Sequence, residues 1–434
     1  MFKPEDSAPP RRSWAIDLAP LRENPAYARL WAGGVISGIG AQLTVVAIGV
    51  QIYELTRSTL AVSLVGIIAF GPMIVIGVFG SSLVDAFDRR IVLIYAAIAS
   101  WVSVAGIAAL AWAGNVDLAP LYALTTLSSV SSTVVGTARF AILPRLVPTR
   151  QLPAAAALSG VSAGLQATFG PALAGLFIAG IGFAWTYSID VVLYTTAFLG
   201  IVTLPPIRPE GKRISIGPRS VLDGIRFLGT SPALRAPFLL HLVCMVFGRP
   251  QVLYPALAAT VFGGGPVVVG VLSSSAAVGV LASSVVSGRL VRIRRQGAAV
   301  GFAGLGFGAS ILAVGIVIAA AGTGIRGAEI AGVPLIAACY LLCLSGASDN
   351  VASIFRTTMM QSAAPDAVRG RIQGLTTMVL TAGPRLGDAW VGTLSVVSLW
   401  AAPAIGGGIV VLAAGATLRW ARGMREYVPV EEER

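Results

Sequence analysis

Charge is scarce in this chain. Asp, Glu, Lys and Arg make up 12% of its 434 residues, about half the share of a soluble globular domain, so water is not its main solvent. Histidine is rarer still. His241 is the single one, which removes most schemes that need an imidazole base beside a nucleophile or a histidine-rich metal site. The three cysteines, Cys244, Cys339 and Cys343, lie inside apolar runs with no histidine at ligand spacing; they read as packing residues, and no metal is expected. No Gly-rich phosphate loop of the P-loop type occurs. Any pumping would draw on an ion gradient, and neither a cofactor nor an enzyme activity is expected. The first 28 residues are polar and proline-rich, and they lack the short apolar stretch of a secretory signal. Arg11 and Arg12 are followed by acid and proline where such a stretch would stand.

The chain is rich in apolar length. Hydrophobic residues make up 56% of it, in runs of about 20, each long enough to cross the hydrocarbon core as a helix. The runs begin near Leu30, Leu60, Ile91, Leu118, Leu152, Ala184, Ala233, Val267, Ala298, Ala331, Ile372 and Pro403. The reading is an all-α polytopic membrane protein of twelve transmembrane helices. Its 51 glycines and 25 prolines fit such helices, where small residues allow close contact. Trp14, Trp31, Trp112, Trp185, Trp400 and Trp420 lie near run ends, as interfacial anchors do.

Arginine sorts the connections. Arg89 and Arg90, Arg145 and Arg150, the group Arg208, Lys212, Arg213, Arg219 and Arg226, then Arg292, Arg294 and Arg295, then Arg369 and Arg371 fall in alternate loops. The intervening loops hold only Arg57 and Arg326. By the positive-inside rule the rich side is cytoplasmic, with both termini inside. The net charge of +12 is then orientation signal and contact with anionic membrane lipids, and no nucleic acid is expected as a partner. Nothing in the pattern specifies an oligomer.

The longest internal polar connection divides the chain in half. The expected organisation is a cytoplasmic tail 1–28, an N-terminal six-helix bundle 29–205, a cytoplasmic linker 206–232, a C-terminal six-helix bundle 233–421 and a tail 422–434. A shift of 217 positions lays Arg139 on Arg356, Pro148 on Pro365, and Gly170–Gly175 on Gly387–Gly392. Parallel six-helix halves are the plan of alternating-access carriers, with a small-molecule site between them near midplane.

The stretch GSSLVDAFDRR, Gly80 to Arg90, packs opposite charges between two apolar runs. Gly80, Leu83 or Val84, Asp85, Arg89 and Arg90 resemble the G-x-L-A-D-x-x-G-R-R signature of the major facilitator superfamily, with Asp88 where that signature often has Gly. Together with VQIYELTRSTLAVSL from Val50, VLYPALA from Val252, PDAVRGRIQGL from Pro365 and the Gly387, Asp388 pair, the chain resembles that superfamily's branch of enterobactin exporters, from about Arg29 to Arg419. The resemblance implies a multi-pass transporter of a bacterial plasma membrane that exports a siderophore or similar metabolite, with the proton as coupling partner. The same branch resembles macrolide and multidrug exporters, and a third reading is a lipid-handling or sensory protein without vectorial coupling. The branch has Arg directly before V-L-Y-P; here Gln251 takes that place, and Arg249 lies two residues back.

A charge mid-membrane costs about 2.5–3.5 kcal/mol on insertion scales, so each one needs a reason. Arg385 and Asp388 are three residues apart on one helix and can pair. Protonation of Asp388 would free Arg385 for an anion, whereas a permanent structural pair would leave both inert. Asp349 is the second candidate for proton coupling. Arg249, Arg385, Arg356, Gln42 and Asn350 are candidates for substrate contact, and His241 reads as a packing residue at headgroup level. Gly170 and Pro171 resemble an export-associated helix bend. The charged stretch reads as an inner-side latch. In it Asp85, with Gly80 allowing close approach, meets the start of the eleventh helix and the arginines around Arg139 and Arg145, while Asp88, Arg89 and Arg90 complete the motif.

The orientation is testable on intact cells. A cysteine introduced as Ser215→Cys in the linker should resist an impermeant thiol reagent added outside; labelling from outside would reverse the topology.

Overall fold

The computed structural model describes residues 17–86, 88–114, 116–204, 226–290, 293, 295–322, 330–363 and 366–425. Much of the expected linker and the ends of both tails lie outside these residues. Ten helical runs among them are long and apolar enough to cross a membrane. The crossings are α1 (Pro25–Thr56), α2 (Thr59–Ala86), α3 (Arg89–Trp112), α4 (Leu118–Leu146), then one helical run, Leu152–Val202, that holds α5 (152–181) and α6 (183–202). The second half has α7 (Pro232–Phe247), α8 (Gly265–Leu290), α9 (Gln296–Ala321), α10 (Gly332–Ala363), α11 (Asp366–Leu394) and α12 (Ala401–Trp420). α11 is outside the ten apolar runs because it carries Asp366, Arg369, Arg371, Arg385 and Asp388. It nonetheless packs against α2 and α7 like its neighbours.

The structure departs from the sequence reading in two places. α11 begins at Asp366 rather than near Ile372, so its first turn carries the acid that a helix N-terminus favours. The seventh crossing is not one run: α7 stops before Gly248, Arg249 and Pro250, and a turn, Gln251–Leu253, leads into a short helix, Tyr254–Thr260. Proline lacks the N–H that a continuous helix would need there.

α5 meets α6 at Gly182, with φ 81° and ψ 178°, a conformation that side chains bearing a Cβ essentially never take. The break reverses the chain with almost no loop. Beside it, the edge-on ring contact of Trp112 and Trp185, with centroids 5.1 Å apart, ties the end of α3 to the start of α6.

Each half is internally packed. In the first, α1 lies against α5 and α6, α4 against α2 and α3, and α3 against α6; in the second, α9 lies between α10 and α12, α8 against α10, and α7 against α11 and α12. Lipid offers no hydrophobic drive for helix association, so close backbone packing and internal hydrogen bonds carry it. The halves meet chiefly along two seams, α2 with α11 and α5 with α8.

Gly182→Ala should cost about 1–3 kcal/mol, the strain of a Cβ in that backbone region. Thermal unfolding of the purified protein in detergent checks it, with Gly180→Ala, which has open space around it, as the control that should change little.

Candidate functional site

The two seams are related by the internal repeat. The 217-residue shift lays Gly175 of α5 on Gly392 of α11, and both make the cross-half contact. A Cβ on Gly175 would press on Pro266, Val267 and Gly270 of α8, and one on Gly392 would press on Ser63 and Leu60 of α2. Gly270 of α8 abuts the Pro171 carbonyl, and in the other seam Gly66 of α2 abuts the carboxyl group of Asp388. Ser274 of α8 donates to the Thr168 carbonyl of α5 at 2.9 Å. These contacts lie from midplane to the arginine-poor ends of the helices.

The symmetry of backbone contact breaks in its chemistry. Where the α5–α8 seam has Pro171, the α2–α11 seam has Asp388, whose Oδ2 lies 3.5 Å from Nη1 of Arg385; their side chains are 17% and 29% exposed. One acid is thus held between the halves, with its own helix supplying the counter-charge. Arg249, in the break after α7, lies within electrostatic reach of Asp388. Helical geometry runs on through Gly170 and Pro171, and the only non-helical residue of that run is Gly182. Gly170 instead seats on Gln42 of α1.

A second group gathers inside the C-terminal half. Asp349 and Arg356 are seven residues apart on α10, which puts them on one face two turns apart. They line a small cavity with His241 and Cys244 of α7 and Val300, Gly304 and Phe307 of α9. His241 is 3% exposed, so it is an interior residue. The seven-residue spacing that puts Asp349 and Arg356 on one face is plain in the sequence, but the histidine that faces them on another helix carried no sequence signal.

Other polar candidates are engaged locally. Asn350 donates to Ser283 at 2.9 Å and to Ser284 at 3.0 Å, joining α10 to α8 within one half. Gln51 accepts from the Tyr187 hydroxyl at 2.7 Å. Asp190 of α6, fully buried, accepts from Thr44 of α1 at 2.5 Å. Arg139 of α4 reaches α1 at Gly34, where a Cβ would lie 2.7 Å from its Nη1.

The charged stretch between α2 and α3 is used within its own half. Asp88 caps α3 by accepting from the Arg90 N–H at 2.9 Å. Arg89 donates to the Ala141 carbonyl of α4 at 2.9 Å and Arg90 to the Val202 carbonyl of α6 at 2.7 Å, two cations placed at helix C-terminal ends. Arg145 sits in the last turn of α4. The side chains of Asp85 and the position of Gly80 in the latch lie outside the described residues.

This arrangement of paired six-helix bundles with a charged seam is that of a major facilitator transporter. The chain matches the transmembrane secretion effector family over residues 15–427 and belongs to it. It is 29% identical over 408 residues to the enterobactin exporter EntS of Shigella boydii, covering 94% of each chain. The EntS of Escherichia coli matches it to the same extent. In fold it is similar to a bacterial homologue of the iron transporter ferroportin in an inward-facing state, with a TM-score of 0.69 at 15% identity, covering 92% of this chain and 99% of that one. The protein is a multi-pass membrane transporter of a bacterial exporter family.

Gly66→Ala should wedge a methyl against Asp388 and loosen the α2–α11 seam, at a cost of about 1–3 kcal/mol for overpacking. Thiol labelling of Ser63→Cys should then rise several-fold, while Gly71→Ala, with no neighbour within 4 Å, leaves it unchanged.

Proposed function

We propose that this protein is a secondary active exporter that carries a siderophore or related metabolite outward by alternating access, in exchange for protons. The observation that carries the reading is the charge asymmetry of the two seams: among the described side chains, Asp388, packed on Gly66 and paired with Arg385, is the one acid in its seam, and the symmetry mate closes without charge. The cargo class rests on the similarity to enterobactin exporters along nearly the whole chain. The arginine-rich side is taken as cytoplasmic, so the seams seal the outer side.

The coupling follows from desolvation. Sealing an acid between two helices is easier when it is neutral. A proton taken up by Asp388 from outside therefore favours closure of the outer seam, and the empty carrier turns inward. Release of that proton toward the inner cavity re-forms the charged pair with Arg385. Cargo bound from the cytoplasm, drawn as an anion to Arg249, Arg385 and Arg356, then drives the outer seam open again. One proton enters for each outward passage, which is antiport. Asp85, Arg139 and Arg145 would hold the inner side shut in the outward-open phase.

Asp388→Asn fixes the neutral form. In inverted vesicles it should lose gradient-driven accumulation of cargo while keeping binding and gradient-free exchange. Normal accumulation with a normal pH response would make Asp388 structural. Competition by lipophilic cations, without competition by anionic metabolites, would replace the siderophore with a multidrug cargo.

A further inference from the structure

The cavity inside the C-terminal half is separate from the seam. It lies among α7, α9 and α10, and has room for about 10 Å³ of water-centre positions, the size of one water molecule. Four ionisable side chains line it: His241, Cys244, Asp349 and Arg356. Neither ring nitrogen of His241 has a hydrogen-bond partner among the described residues, although both are buried. Buried polar groups are almost always partnered, so two idle nitrogens on one ring against a polar cavity call for a ligand. The ligand must be small, and it must be something that an imidazole and a carboxylate can both hold.

We propose that His241 and Asp349, with Arg356 beside them, form a proton-binding site inside the C-terminal half. One proton is shared between the imidazole and the carboxyl group, directly or through a single water in the cavity. The charge count supports it. Asp349 and Arg356 cancel one another, so the group is neutral with a neutral ring and gains a full positive charge on taking one proton. The cations that reach the ring oppose that gain, and α11, also packed on α7, brings Arg385 and Asp388 as a pair. Arg249 on the α7 side lies within reach of the ring, as does Arg356; α9 contributes only Val300, Gly304 and Phe307. α12, also packed on α7, has Arg419 in its last turn as its one charged residue. The Cys244 thiol lines the same cavity and is neutral. The proton is therefore held more tightly while an anion compensates it. An anionic cargo near Arg249 would raise the occupancy of this site and so make the C-terminal half sense that cargo is aboard.

This role rests on the transport reading only for its purpose. The site itself can be tested without transport. Because His241 is the only histidine, the protein purified without a histidine tag and labelled with ¹⁵N-histidine gives one pair of ring-nitrogen signals, which need no assignment. In proteoliposomes those signals should titrate between about pH 4 and about pH 9. Asp349→Asn should move the midpoint by about one pH unit or more, Arg356→Gln should move it the opposite way, and Asp388→Asn should leave it in place. A ring that stays neutral across the range, or titrates identically with and without Asp349, overturns the site. Loss of transport in Asp388→Asn with a normal histidine titration would leave the exporter reading and this site standing independently. A normal titration with no proton-dependent transport would retain the site and reject the coupling.

Discussion

The arrangement depends on one acid kept out of water between two halves that, in the proposed cycle, separate. Asp388 lies against Gly66 with Arg385 on its own helix as counter-charge. A mid-membrane carboxylate costs about 2.5–3.5 kcal/mol to insert, and the pair with Arg385 offsets part of that only while the geometry holds. A glycine on the facing helix is what permits the approach; any side chain there would occupy the space of the carboxyl group. The cost of hiding the acid and the freedom to expose it are therefore set by the same contact, and a proton changes both.

In the proposed cycle the repeat supplies the frame and the acid supplies the bias. Gly175 with α8 and Gly392 with α2 are equivalent contacts in two seams, as expected of parallel halves related by an axis along the membrane normal. Two equal dry seams would open and close with no preference linked to a gradient. Replacing the Pro171 position by Asp388 in the repeat is what, in the proposed cycle, would make one seam sensitive to protonation. The helix-end arginines Arg89 and Arg90 hold α3, α4 and α6 together inside the first half, which lets that half move as a body.

Much of the fold was legible because membrane helices obey few rules. The expected starts near Leu118 and Leu152 coincide with the helices, since an apolar run in lipid has no alternative to helix. The start of α11 was placed late because Arg369 and Arg371 make its first turns look like loop. The break at Gly248–Pro250 was hidden within an apolar span. Of the site, the Arg385–Asp388 pair follows from i, i+3 spacing alone, whereas its contact with Gly66 joins residues more than 300 positions apart, and no local pattern encodes it. The surroundings of His241 were hidden for the same reason: its place on α7 is read from the sequence, but the cavity it shares with Asp349 and Arg356 of α10 comes only from packing. Asp88 read as part of a latch because an acid beside arginines suggests pairing, and the structure uses it as a helix cap.

The central claim is that the α2–α11 seam opens in every transport cycle. Leu60 and Gly392 face each other across it, with the Leu60 Cα 3.6 Å from a Cβ built on Gly392. A protein carrying Leu60→Cys and Gly392→Cys should cross-link under mild oxidation, lose transport while cross-linked and regain it on reduction, with each single variant unaffected by oxidant. Full transport by the cross-linked protein would show that the seam stays shut throughout the cycle, and would contradict the account.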